Sequence, residues 1–142
     1  MPLILSGLPS PSWVWSHRHE LDGVLTLQHK NEPGASLPVA VKNSRLISWH
    51  HPYTIKKWPQ VSVADAKRFR RDLIEIANLH LAGKRILVHC AAGIHRTGTN
   101  AWAILVYSGA SEKDAQDEVL RLRPQAADFV RFLPWARKNL LP

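Results

Sequence analysis

A single cysteine, Cys90, stands among the 142 residues, alongside one methionine. One thiol excludes an internal disulfide framework and every zinc or iron–sulfur site built from several cysteines. Long apolar runs are missing too. The longest, AWAILVY at 101–107, is far short of the roughly 20 residues that a membrane-spanning helix needs. The opening residues MPLILSG carry no basic region, so no secretory signal is expected and the chain is placed in the cytoplasm. Acidic residues are scarce and unevenly spread. Eleven Asp and Glu face 19 Lys and Arg, a formal charge of +8, and positions 33–64 hold no carboxylate at all. The same stretch holds Lys42, Arg45, His50, His51, Lys56 and Lys57. Such an excess favours an anionic partner, whether a polynucleotide, an acidic membrane surface or a phosphorylated molecule.

At this length, with 45% hydrophobic residues, one domain over 1–142 is expected. Gly23–Gln28 (GVLTLQ) reads as a short buried strand, ended by Asn31-Glu32-Pro33-Gly34. A second extended segment, 46–51, stops before Pro52. Between Val63 and Leu81 the apolar residues recur at helical spacing, with Ser62 as N-cap, Asp65 in the first turn and Gly83 as the stop. Arg85–His89 (RILVH) lacks alternation, which predicts a strand buried on both faces. A helix over 97–108 follows, then one capped by Ser111 that stops before Pro124, then a last helical segment with Phe129, Phe132 and Leu133, where Pro134 starts or bends a turn. The pattern predicts an α/β fold: a central, mostly parallel, twisted sheet of four to five strands flanked by helices. In such sheets ligands gather beyond the carboxyl ends of the strands. That places a phosphate-binding loop between the strand at 85–89 and the helix at 97–108.

The residues there are His89-Cys90-Ala91-Ala92-Gly93-Ile94-His95-Arg96-Thr97-Gly98. Small residues let the loop curl so that successive amides of Ala91, Ala92, Gly93, Ile94, His95 and Arg96 point inward as an anion nest, and the helix start adds its own unsatisfied N–H groups. Arg96 can hold two oxygens of a tetrahedral anion at once. Thiols beside helix N-termini and cations ionise more readily than free cysteine, so Cys90 is expected as a thiolate poised for in-line attack on phosphorus. Thr97 can offer its hydroxyl to that sulfur. His89 is expected to orient the loop through hydrogen bonds to backbone.

HCAAGIHRTG resembles the signature loop HCxxGxxR(S/T)G of the cysteine-based protein tyrosine phosphatases, and the rest of the chain is similar to their compact dual-specificity branch. Gly83–Val88 is similar to that family's strand into the loop, and Leu122-Arg123-Pro124 to its Arg-Pro element, so the likeness spans roughly residues 22 to 133. It implies a phosphomonoesterase that needs no metal and no cofactor. Cys90 would form a phosphocysteine, Arg96 and the backbone of 91–96 would hold phosphate, and Thr97 would support the thiolate. The substrate would be a phosphorylated protein or another anionic phosphate, with nucleic acid entering only as 5′-phosphorylated RNA.

One part of the family pattern is missing. Members carry an aspartate on a loop before the cysteine that protonates the leaving group, whereas the corresponding segment here, HHPYTIKKWPQ at 50–60, has no carboxylate. Trp58-Pro59-Gln60 is similar to the family's Trp-Pro-Asp loop with glutamine in place of the acid, and glutamine cannot deliver a proton. Asp65 and His51 are the remaining candidates, with His50 beside the latter. Loss of protonation penalises alkoxide leaving groups most, so phosphotyrosine and other good leaving groups are favoured. Three alternatives stay open: an RNA 5′-triphosphatase-like enzyme, a phosphoinositide phosphatase favoured by a cationic His95, and a catalytically weak phosphate-binding module.

Overall fold

A computed structural model of the protein describes residues 2–53 and 57–142. Lys56, one of the basic residues of the carboxylate-free stretch, lies outside the described residues. Four strands, β1 (Ile4–Ser6), β2 (Gly23–Thr26), β3 (Ile47–His50) and β4 (Ile86–His89), form one sheet in the order β1-β4-β2-β3. Every pairing is parallel. Successive strands that run parallel in one sheet need crossover connections, and helices supply them here: α1 (Pro11–Ser16) between β1 and β2, α2 (Leu37–Asn43) between β2 and β3, and α3 (Val63–Leu81) between β3 and β4. After β4 come α4 (His95–Tyr107), α5 (Glu112–Leu122), a 3-10 segment at Pro124–Phe132 and α6 (Leu133–Asn139).

All residues of β2 and β4 are buried because both faces of the sheet are covered. Side chains alternate across a strand. Val24 and Leu87 therefore join Val14, Leu37 and Val41 of α1 and α2 on one face, while Leu25, Ile86 and Val88 join Phe69, Leu73, Ile76, Trp102 and Ile104 of α3 and α4 on the other. The α3 boundaries match the expected helix, and the Ser62 hydroxyl accepts from the Asp65 N–H at 3.1 Å as a cap should.

Several segments differ from the sequence expectation. The strand expected over 23–28 ends at Thr26, and α4 opens at His95 rather than at 97. The short elements β1, α1 and α2 carry too few residues to show a period. After Leu122 the chain runs as 3-10 helix through Phe129 and Phe132, and Pro134 then sits in the first turn of α6. Gly98 explains how the 3-10 segment reaches the start of α4: a Cβ there would lie 2.6 Å from the Phe129 ring, so only glycine allows this approach. Among the described residues no helix is long and apolar enough to cross a membrane.

Candidate active site

Parallel register aligns the carboxyl ends of three strands: Ser6 and Thr26 both pair with His89. Cys90 is the residue that follows β4. It is 3% exposed at the margin of the core, and the Thr97 hydroxyl donates to its Sγ at 3.0 Å. Thr97 thus holds its hydroxyl against the sulfur from the first turn of α4.

The loop from Ala91 to Arg96 is shaped from outside. The Ala91 carbonyl accepts from the Leu8 N–H (2.9 Å), the Ala92 carbonyl from Arg123 Nη2 (3.0 Å) and the Gly93 carbonyl from Arg123 Nε (2.8 Å). With those carbonyls turned outward, the N–H groups of 91–96 find no acceptor among the described residues. Buried or half-buried amides seldom go unpaired, and a row of them forms an anion nest. Gly93 makes the curl: its φ is +72°, and a Cβ there would lie 2.5 Å from the Ser6 carbonyl. Arg123 belongs to the Arg-Pro element noted in the sequence, but its task of holding the loop by two carbonyls was not legible there.

Arg96 is tied down from one side only. Its Nη1 donates to the Leu27 carbonyl (3.0 Å) and to Glu32 Oε1 (2.5 Å), and its Nη2 donates to Glu32 Oε2 (3.0 Å). Guanidinium has five N–H donors. The end-on fork is thus committed to Glu32, while the side-on fork, Nε–H with the second Nη2–H, has no acceptor among the described residues and can take two oxygens of a phosphate. Burial pushes the Glu32 carboxyl up, but hydrogen bonds from Arg96 and the His29 N–H outweigh it and hold the group below the usual carboxylate range. Glu32 was read from the sequence only as the end of a strand. The available signal was that it is the last acid before the carboxylate-free stretch. Glu32→Ala is expected to lower kcat/KM on an aryl phosphate about 10²-fold, because an unanchored guanidinium loses its aim. Steady-state rates on purified protein check this, and a change under threefold would rule out the anchoring role.

His89 is fully buried, and its contacts set its tautomer. A carbonyl only accepts, so Nδ1–H donates to the Cys90 carbonyl (3.3 Å) and Nε2 accepts from the Thr26 hydroxyl (3.0 Å). The ring thus orients the loop, as the sequence reading expected. Burial pushes its pKa down from 6.5 to about 4, so it is neutral when folded. The unfolded chain binds the proton more readily, which means stability is fully present above about pH 6.5 and lost as pH falls toward about 4, by about 3 kcal/mol for this group. Urea midpoints across that range should show the loss, and His89→Gln should remove most of it.

The two candidate proton donors are not part of the Cys90–Arg96 loop. Asp65 is exposed in the first turn of α3, with Arg68 Nη2 at 3.6 Å from its Oδ1. His51 has no exposed surface: it stacks on Phe69 at 4.0 Å, and its Nε2–H donates to Asp72 Oδ2 at 2.9 Å. Burial depresses its pKa despite Asp72. An imidazole sealed in this way does not reach a leaving group. His50 Nε2 is bonded to the Gln28 carbonyl. Trp49 is core, and half-buried Trp58 packs against Tyr53, Phe132 and Trp135, leaving Gln60 exposed. His95 lies at the loop's rim, its side chain 35% exposed, with Nε2 at 2.6 Å from Asp128 Oδ2. Among the described residues no cluster of three or more His, Cys, Asp or Glu side chains is placed to hold a metal ion.

Comparison with known proteins accords with this geometry. The family model for protein-tyrosine phosphatase matches residues 24–131. The human tyrosine-protein phosphatase non-receptor type 23 is 27% identical over 135 residues, which are 92% of this chain but only 7% of that much longer protein. The crystal structure of Tk-PTP in its active form superposes with a TM-score of 0.77 at 27% identity, covering 99% of this chain and 91% of that one. Kinase associated phosphatase, with its catalytic-site cysteine replaced by serine, shares the fold at 19% identity, with a TM-score of 0.67 over 97% of this chain and 85% of the other. A compact parallel α/β fold with the cysteine loop after its central strand, matched over most of its length, belongs to the protein-tyrosine phosphatase family.

Proposed function

We propose that the protein hydrolyses phosphomonoesters through a phosphocysteine on Cys90 and that aryl esters such as phosphotyrosine are its better substrates. A single observation carries this reading. A buried thiol that receives the Thr97 hydroxyl lies at the start of a run of unpaired amides, six residues before a guanidinium with one fork uncommitted. A phosphate dianion held by the amides of 91–96 and the free fork of Arg96 presents phosphorus to Sγ. Sulfur attacks, the ester oxygen departs, and the same donors hold the equatorial oxygens as charge shifts through the transition state. Water then displaces the sulfur, and Thr97 supports the thiolate as it leaves.

Leaving-group chemistry argues for aryl esters. Phenols ionise near pH 10, far more readily than serine or threonine alcohols, so an enzyme whose 50–60 segment lacks the usual carboxylate loses least on them. The chain's +8 charge suits a phosphorylated protein or another anionic phosphate.

Trapping tests the proposal. Acid quench during turnover of an aryl phosphate, followed by peptide mass spectrometry, is expected to find one phosphoryl group on the peptide containing Cys90. Turnover with no such adduct, even when phosphocysteine hydrolysis is slowed by cooling, counts against the covalent route. Binding of phosphopeptide with no turnover of any ester would favour the phosphate-binding module instead.

A further inference from the structure

The missing carboxylate leaves open which group moves the proton, and the loop itself contains a candidate. Resting on the phosphocysteine reading, we infer that His95, oriented by Asp128, gives a proton to the departing oxygen and then takes one from the hydrolytic water.

Four other ionisable groups are each engaged by another residue. Asp65 stands exposed on α3 beside Arg68, His51 is sealed against Phe69, both oxygens of Glu32 are occupied by Arg96, and Tyr53 is fully buried with its phenol pushed up by burial. His95 differs from all of these. It immediately precedes Arg96 in the nest, and part of its ring meets solvent. Its ring is fixed by two contacts, the 2.6 Å hydrogen bond from Nε2 to Asp128 Oδ2 and an edge-on approach to Phe132 with centroids 5.1 Å apart. Asp128 accepts the Nε2 proton, which leaves Nδ1 as the ring atom able to exchange a proton.

The charged group in contact with this pair among the described residues is Arg131, whose Nε shares Asp128 Oδ2 at 2.9 Å; Arg96 follows His95 on α4 but is turned to Glu32, and Arg123 holds the Ala92 and Gly93 carbonyls. Hydrogen bonds from His95 and then Arg131 hold the Asp128 carboxyl below the usual range, so Asp128 stays an acceptor toward the ring.

The steps balance. In the first, the Cys90 Sγ lone pair forms the S–P bond, the P–O bond breaks with its electron pair going to the departing oxygen, and the Nδ1 proton passes to that oxygen. In the second, a water oxygen bonds to phosphorus, its proton returns to Nδ1, and the P–S bond breaks to restore the thiolate. His95 is therefore the catalytic residue and Asp128 the positioning one.

The experiment is a series of aryl phosphates from dinitrophenyl to phenyl, with kcat/KM measured from acid to alkaline pH for wild type, His95→Gln and Asp128→Asn. His95→Gln is expected to leave dinitrophenyl phosphate within about threefold, since that leaving group needs no proton, and to slow phenyl phosphate about 10²-fold. Wild type should show a shallow dependence on leaving-group basicity that steepens in His95→Gln. Asp128→Asn should slow phenyl phosphate by a smaller factor and move the alkaline limb of its profile, a readout that a merely structural role leaves in place. An equal fall across the series, or no fall, overturns the assignment while leaving the phosphocysteine standing. Absence of any Cys90-dependent turnover in wild type overturns both.

Discussion

Cys90→Ser is expected to lose aryl phosphate turnover by about six orders of magnitude, the scale seen when a covalent nucleophile is removed. Serine keeps the shape of the site, and its oxygen can still accept from Thr97, but a hydroxyl has to shed its proton to attack. Among the described residues no basic side chain is hydrogen-bonded at the Sγ position to take it, where Thr97 is the partner. The His89 ring is occupied by the Cys90 carbonyl and the Thr26 hydroxyl and is held neutral by burial, and both oxygens of Glu32 belong to Arg96. Sulfur is intrinsically the stronger nucleophile, and a thiol sheds its proton far more readily than a hydroxyl. Anion binding rests on different atoms, the amides of 91–96 and the free fork of Arg96, so affinity for inorganic phosphate should stay within about threefold while kcat disappears. Calorimetry with phosphate and a stopped assay with an aryl ester separate the two quantities. Residual turnover within about 10²-fold of wild type would mean that the reaction bypasses sulfur.

Legibility in the sequence followed range along the chain. The cysteine loop was readable because its parts lie within ten consecutive residues, and the α3 helix because nineteen residues show five turns of apolar spacing closed by a Ser62 cap. β4 was readable because burial on both faces removes alternation. What was missed involves partners far apart in the chain. Glu32 meets Arg96 across 64 residues, and Arg123 meets the Ala92 and Gly93 carbonyls across about thirty; no local period reports such pairs. His51 is instructive in the same way. The sequence read 46–51 as extended, and the His51 N–H does continue the sheet by bonding to the Thr26 carbonyl at 2.9 Å; what no local pattern told is that its ring turns inward onto Phe69. α2 buries only Leu37 and Val41, a single i, i+4 pair, too little to announce a helix.

Arg96→Lys is expected to cost about 10³-fold in kcat/KM, with the loss mainly in kcat. Charge is conserved in this change, so what is removed is shape. Arginine serves two anions at once, Glu32 through its end-on fork and phosphate through its side-on fork, whereas an ammonium is a point charge that satisfies the nearer partner. Glu32 is 8% exposed and permanently in place, so Nζ pairs with it, and the phosphate oxygens lose both donors in the transition state. Alanine is the less informative choice. Removing the cation leaves a buried carboxylate uncompensated, which costs about 3–5 kcal/mol of stability and confuses misfolding with lost catalysis. The double variant Arg96→Lys with Glu32→Gln makes the argument quantitative. Once Glu32 no longer competes for the ammonium, the second change should recover part of the activity lost to the first, so the two effects are not multiplicative. A multiplicative outcome, or an Arg96→Lys enzyme within tenfold of wild type, would show that the side-on fork does not hold the substrate.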